Sequence, residues 1–289
     1  MRVHVLGVRG STPAPGHAFA RHGGNTSCLA LARDEEEPTL LLDAGTGIRG
    51  LGALLGERPF HGAVLLGHLH WDHTQGLPFS RAIDNDGAHV RLCLPDQEDG
   101  AAAVDVLRRA MSPPHFPIGP EGLRGEWTFE RLAPGPHHVA GFDVLALEIP
   151  HKGGRTFGYR ISDGRSSMAY LSDHGPGALG PGPDGWGPYH EAALTLAADV
   201  DLLVHDAQHT AAELPTRIAW GHSAADYPVR LAELAGARSV LLFHHDPTRT
   251  DSELDAIVGT FATAPVQVSA AAEGTVLHLS RPRARPRGR

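Results

Sequence analysis

His68-Leu69-His70-Trp71-Asp72-His73 directly follows an apolar run, Ala63-Val64-Leu65-Leu66-Gly67. The run reads as a buried strand. In extended chain, residues two apart point the same way, so His68 and His70 can face one metal ion. Asp72 and His73 come after the strand should have stopped, and a turn there would swing them towards a second ion beside the first. Three imidazoles and a carboxylate within one short string form a borderline-soft donor set that suits zinc. The ordinary alternative is a histidine-rich surface loop in a chain with 20 His. Two His at this spacing would be weak evidence against it; the complete His-x-His-x-Asp-His string is strong.

Working outward, the second half of the chain repeats one arrangement. Val144 to Pro150 runs into His151, Met168 to Ser172 into Asp173, Leu202 to His205 into Asp206, and Val240 to Phe243 into His244. Each apolar strand thus delivers a metal-type side chain where it stops. A sheet gathers such ends along one edge, so residues distant in sequence can converge there. The first half is strand-rich too. Arg2 to Val8 is broken by Gly10-Ser11-Thr12-Pro13, Ser27 to Ala32 is a second strand, and Thr39 to Asp43 a third. Helix candidates are Ile48 to Leu55, Ala101 to Met111, Glu191 to Ala198, and Ala224 to Ala235 ended by Gly236. Either Ser223 or Asp226 would cap the last of these, Asp226 sparing Pro228 an interior position. Thr250-x-x-Glu253 is a capping box. Ser112-Pro113-Pro114-His115-Phe116-Pro117 is a loop expected to wall one side of the pocket, and Gly175 to Pro188 a long loop near it. Residues 80 to 140 are otherwise the least legible.

The His68–His73 string, with His151-Lys-Gly-Gly-Arg-Thr-Phe-Gly-Tyr159, Tyr170-Leu-Ser-Asp173, Gly221-His222-Ser223 and Phe243-His244-His245-Asp246-Pro247, resembles the metallo-β-lactamase superfamily. It is most similar to the branch holding the tRNA 3′-processing endonucleases and the small cyclic phosphodiesterases. The loops Gly10–Pro13 and Arg21-His-Gly-Gly-Asn-Thr26 resemble loops that border the metal site in that branch. The resemblance implies an α/β protein with a four-layer αββα sandwich and two divalent metal ions. His68, His70 and His151 would hold one ion, Asp72, His73 and His244 the other, and Asp173 would bridge them. His245 competes less well than His244 for the last position. Zinc is the first choice, and the mixed donors also accept Mn2+ or Fe2+. His222 and Asp72 are the implied catalytic side chains, His222 as the acid that protonates a leaving alkoxide. Asp43 would support the metal loop from behind or merely cap a turn. Asp206 would orient His222 or satisfy backbone at a strand end.

Two divalent ions set against two carboxylates and a shared hydroxide leave a net of about +1, which attracts phosphodiesters and stabilises their transition state. The expected activity is therefore hydrolysis of a small phosphodiester such as a cyclic nucleotide or cyclic phosphate. The alternatives are a tRNA 3′-processing ribonuclease, a thioester or lactone hydrolase, and a metal-holding protein without catalysis. The formal charge of −8 argues against broad nucleic-acid binding, as does the lack of a long basic Gly/Pro arm, although nucleic acid is not excluded. At 289 residues with 41% hydrophobic and 20% charged side chains, the chain has ordinary globular composition. We expect residues 1–280 to form a single domain and the basic stretch 281–289 to be a disordered tail. No apolar run approaches the ~20 residues of a membrane span. The start shows no signal-peptide layout, and Cys28 and Cys93 sit in apolar runs, so a cytoplasmic location is expected. The oligomeric state is open, a homodimer included.

Overall fold

A computed structural model describes residues 1–279; the basic stretch 281–289 lies outside the described residues. The chain runs through strands β1 (Arg2–Gly7), β2 (Cys28–Ala32), β3 (Leu40–Leu42), β4 (His61–Leu65), β5 (His89–Pro95) and β6 (Glu126–Leu132). It continues through β7 (Gly135–Val139), β8 (Phe142–Glu148), β9 (Phe157–Ser162), β10 (Ser167–Leu171), β11 (Leu202–Asp206), β12 (Ser239–Phe243) and β13 (Gln267–Ala270), and closes on β14 (Val276–His278). These form two seven-stranded sheets, ordered β14-β1-β2-β3-β4-β5-β6 and β7-β8-β9-β10-β11-β12-β13. In each, the first three pairings are antiparallel and the last three parallel. The two halves thus share a topology that no sequence repeat reveals.

Three apolar clusters fix the layering. Between the sheets, Val3, Leu29, Leu65, Tyr159, Tyr170, Val204 and Phe243 pack in one core. On the outer face of the first sheet, Leu41, Val64 and Leu92 pack with Ile48, Leu51 and Leu107, carried by a 3-10 turn at Thr46–Gly50, α1 (Leu51–Leu54) and, after the short α2 (Trp71–Thr74), α3 (Ala103–Arg108). On the outer face of the second, Ala169, Leu203 and Leu242 meet Leu196 of α4 (Glu191–Ala197) and, beyond α5 (Leu214–Arg217), Leu231 of α6 (Asp226–Ala235). The architecture is the α/β sandwich with helices outside two facing sheets. Strands β3, β10, β11 and the last four residues of β12 are buried throughout, as expected for strands covered on both sides.

Two local expectations change. Helix α6 opens at Asp226 with Ala225 in the cap position and no side-chain cap, so neither Ser223 nor Asp226 has that role. Ser223 instead donates its hydroxyl to the His174 carbonyl at 2.6 Å. Pro228 falls in the first turn, where its missing N–H leaves no intrahelical bond unmade. The Ser112–Pro117 loop does not line the metal cavity; His115 and Phe116 line a neighbouring apolar groove with Phe79 and Leu107, and Trp71 stands between the two. The Thr250/Glu253 capping box is present at the start of α7 (Asp251–Thr260). Among the described residues no helix is long and apolar enough to cross a membrane.

Candidate metal centre

Ligands in open α/β sheets bind beyond the carboxyl ends of the strands, and here those ends meet at one rim. β3 ends before Asp43, and β4 leads into the 66–70 loop and α2. β8 leads to His151 and β10 to Asp173, while β11 ends on Asp206 and β12 precedes His244. The sheets are tied together at this rim. Phe157 N donates to the Gly67 carbonyl at 2.8 Å, and Tyr159 Oη donates to the Leu66 carbonyl at 2.7 Å. Gly10 N donates to His245 O at 3.0 Å, and His245 N to Val8 O at 2.9 Å.

Donor atoms from His68, His70, His151 and Asp173 lie within 4.8 Å of one another, and so do those of Asp72, His73 and His244. Asp173 faces both groups. Its Oδ1 is 3.7 Å from His68 Nε2 and 3.7 Å from His151 Nε2. Its Oδ2 is 3.0 Å from His73 Nε2 and 3.4 Å from His244 Nε2. All seven sequence candidates are therefore brought together. His245 is not among them: its Nε2 points to the Ala271 carbonyl at 3.0 Å, and burial pushes its imidazole down to about 3.

The donors fit divalent cations. His68 Nδ1 and Nε2 and Asp173 Oδ2 are buried without a hydrogen-bond partner, which native interiors seldom tolerate unless another ligand is due. Burial pushes His68 well below its usual range. Burial also opposes charge on His244, but Asp173 and Asp72 outweigh it and raise that imidazole to about 9. Asp173 and Asp72 therefore favour positive charge at His244, whether proton or metal, and the two compete.

Supporting contacts orient these donors. Asp43 Oδ2 accepts from His73 Nδ1 at 2.7 Å and from Tyr170 Oη at 2.7 Å, and its Oδ1 accepts from Gly67 N at 2.7 Å. His73 is thereby turned with Nε2 towards the cluster. His151 Nδ1 faces the Gly221 carbonyl at 2.7 Å. Asp206 does both things weighed for it: Oδ2 accepts from His222 Nδ1 at 2.7 Å, and Oδ1 accepts from Gln208 N at 3.0 Å. Burial would raise the Asp206 carboxyl, but the His222 imidazole beside it holds it below the usual range. His222 lines a cavity of about 510 Å3 with His70, Asp72, His151 and Asp173.

Further residues complete the lining, Ser11 among them from the Gly10–Pro13 loop whose resemblance placed it beside the metal site. Ser11 N donates to Asp72 Oδ2 at 2.6 Å, and Gln208 Nε2 to Ser11 Oγ at 3.0 Å. Lys152, Trp71 and Trp220 line the same cavity. His174 is buried between His205 and His190, with ring nitrogens 2.8 and 2.7 Å apart, and serves packing there. His209 packs edge-on against Trp220 and His222. His137 and His138 are in exposed contacts of β7.

Residues 39–245 match the family described as the beta-lactamase superfamily domain. The chain belongs to the metallo-β-lactamase superfamily. The chain is similar to a ribonuclease Z of Synechococcus sp. (strain WH7803), 26% identical over 86% of this chain and 85% of that one. The fold matches the metallo-β-lactamase fold protein YhfI of Bacillus subtilis with a TM-score of 0.69 at 19% identity, covering 96% of this chain and 99% of the other. It also matches a diphosphatase from the PhnP family, with a TM-score of 0.66 at 20% identity over 96% and 98% of the two chains. As a metallo-β-lactamase superfamily member with this His/Asp cluster, the protein is a metal-dependent hydrolase whose centre takes divalent ions.

Proposed function

We propose that the protein hydrolyses a phosphodiester bond in a small substrate, such as a cyclic nucleotide or another cyclic phosphate. The observation that carries this reading is a set of seven donors beside one further imidazole, His222, which has a ring nitrogen within 4.8 Å of donor atoms of Asp173 and His244 but whose Nδ1 is engaged by Asp206 at 2.7 Å. His68, His70 and His151 would hold one divalent ion, and Asp72, His73 and His244 a second, with Asp173 between them. Zinc suits the imidazole-rich set best, while Mn2+ and Fe2+ remain compatible. Such a pair supplies Lewis acidity towards the phosphoryl oxygens and makes a water acidic enough to attack near neutral pH.

The remaining work falls to the chain. Asp43 keeps His73 in one tautomer and orientation. Asp72 is held by the Ser11 N–H, so one of its oxygens has a fixed direction. Lys152 adds a cation to the cavity wall, where a phosphate needs charge compensation. Asp206 accepts the Nδ1 proton of His222 and fixes the ring, so Nε2 is the nitrogen left to pass a proton to the leaving alkoxide. The cavity of about 510 Å3 falls in the range of small-molecule sites. Cys28 and Cys93 are free and buried, which suits the reducing cytoplasm.

A second reading, cleavage of precursor tRNA, is favoured by the relatives named ribonuclease Z. The formal charge of −8 weighs against it, because phosphate-backbone binding depends on basic surface. The test is a panel of cyclic nucleotides, linear phosphodiesters and precursor tRNA offered to metal-loaded protein. Turnover of the small diesters, lost about 10²–10⁴-fold in His222→Ala with metal content intact, is the expected result. Cleavage of the tRNA alone would replace the first reading with the second.

A further inference from the structure

We propose that Trp71 and Trp220 form stacking surfaces for a nucleobase, so that the small substrate is a nucleoside phosphodiester and not a base-free sugar or alkyl phosphate. This rests on the small-substrate reading. Both indoles line the cavity that contains the metal donors, yet Trp71 is 74% exposed and Trp220 52%. Two large aromatic rings lining the mouth of one cavity place exposed apolar surface where a ligand would cover it.

The backbone that carries each indole is tied to the donor cluster. Trp71 opens α2, the single helical turn that also carries Asp72 and His73. Its backbone is therefore set by the residues that enter the donor cluster. Trp220 lies two residues before His222. Between them Gly221 adopts a left-handed conformation, φ 89°, and a Cβ there would sit 2.8 Å from His151 Nδ1. The Arg217 guanidinium lies over the Trp220 ring, 5.3 Å from its centre, and is itself held by Asp246 Oδ2 at 3.1 Å. The His209 ring meets the indole edge-on at 6.1 Å. The Trp220 ring, positioned in advance by these contacts, loses little freedom when a flat ligand settles on it. The rest of the cavity wall divides the labour: the metal donors and Lys152 address a phosphate, and the two indoles offer planar apolar faces. A nucleobase on a phosphorylated ribose matches both. Stacking tolerates any base, because every base has a π face, so the preference expected is for a base and not for a particular one.

The experiment titrates metal-loaded protein with adenosine 5′-monophosphate and with ribose 5-phosphate, by calorimetry. We expect the nucleotide to bind about 5–150-fold tighter, the range of one base–aromatic stack. Trp71→Ala and Trp220→Ala should each erode that preference while leaving ribose 5-phosphate affinity and metal content unchanged, and Trp→Phe at either site should restore most of it. Equal affinity of the native protein for both ligands overturns the proposal. So does an equal loss for both ligands in the alanine variants, or a change only in self-association, which would make the indoles a contact between copies of this chain. A tryptophan-dependent nucleotide preference in an enzyme inert towards cyclic and linear small diesters would leave the stacking surfaces standing and remove the small-substrate reading instead.

Discussion

Asp43→Asn isolates the link between the core and the metal rim. Asp43 follows β3 with φ of 60°, a left-handed conformation that Asn adopts as readily as Asp. The substitution therefore preserves volume and backbone and removes the charge. In the native protein Oδ2 accepts from His73 Nδ1 at 2.7 Å, Tyr170 Oη at 2.7 Å and Ser172 Oγ at 3.3 Å, while Oδ1 accepts from Gly67 N at 2.7 Å. An amide has one oxygen. The two hydroxyls can rotate, but His73 Nδ1–H and Gly67 N–H cannot both be satisfied. If the oxygen stays with His73, the amide NH2 opposes Gly67 N–H. If it turns to Gly67, the imidazole is released. Either leaves a buried donor unmet, about 1–3 kcal/mol of stability. The lost carboxylate also makes His73 a poorer and less directed ligand, about 10–100-fold in metal affinity. Competition with a chromophoric chelator at fixed pH measures the affinity, and thermal melting of the metal-free protein measures the stability. We expect both to fall. Reduced stability with metal affinity within twofold of native would make Asp43 a turn-stabilising residue only and refute its role in orienting His73.

Asp206→Asn should lower kcat about 10–150-fold, the worth of a hydrogen bond to a charged group, with both metal equivalents retained by elemental analysis. His244→Ala should lose one equivalent of metal after gel filtration, whereas His245→Ala should keep both, because His245 spends its Nε2 on the Ala271 carbonyl. For Glu213, burial pushes the carboxyl up, but hydrogen bonds from Arg249 at 2.6 Å and from Thr210 N at 2.8 Å outweigh it and bring it down to about 2. A depressed acid stabilises the fold above its unfolded value of 4.5 and loses that contribution as pH falls through 2. Solvent screening at this partly exposed pair trims the effect to about 1 kcal/mol. Glu213→Gln should therefore melt a few degrees lower at pH 7, and the gap should narrow by pH 3; a constant gap would show that the charge is not its source.

The parts of the fold that could be read from the sequence are those where burial leaves little choice. β10 and β11 are buried on both faces, so their apolar runs stand out, and Asp173 just beyond the one and Asp206 at the end of the other fall at the rim. β6 and β7 could not be read that way. Glu126 to Val139 alternates exposed and half-buried positions along the ends of the two sheets, and Gly135 and Pro136 look like a turn and not a strand. β14 was equally hidden, because its partner is β1, with Arg2 opposite His278; a pairing that distant has no local signature. The Ser11 contribution to the site is a backbone N–H from a residue with φ of 61°, so side-chain identity says nothing about it.

The donors themselves were readable for a reason that joins chemistry to backbone shape. At the ends of β3 and β12 the chain must leave the sheet abruptly and still send a side chain to the rim, and Asp43 and His244 do this at φ of 60° and 56°. Most L-residues avoid that region, whereas Asp, Asn and His enter it several times more often than average. The residue types that make good metal ligands or hold such ligands from behind are thus among the few that tolerate the turn. Replacing His244 by an apolar residue would remove a donor and also strain the turn that follows β12. Glycine would relax the turn and still leave the donor missing, so only the metal count, and not stability alone, separates the two roles of that position.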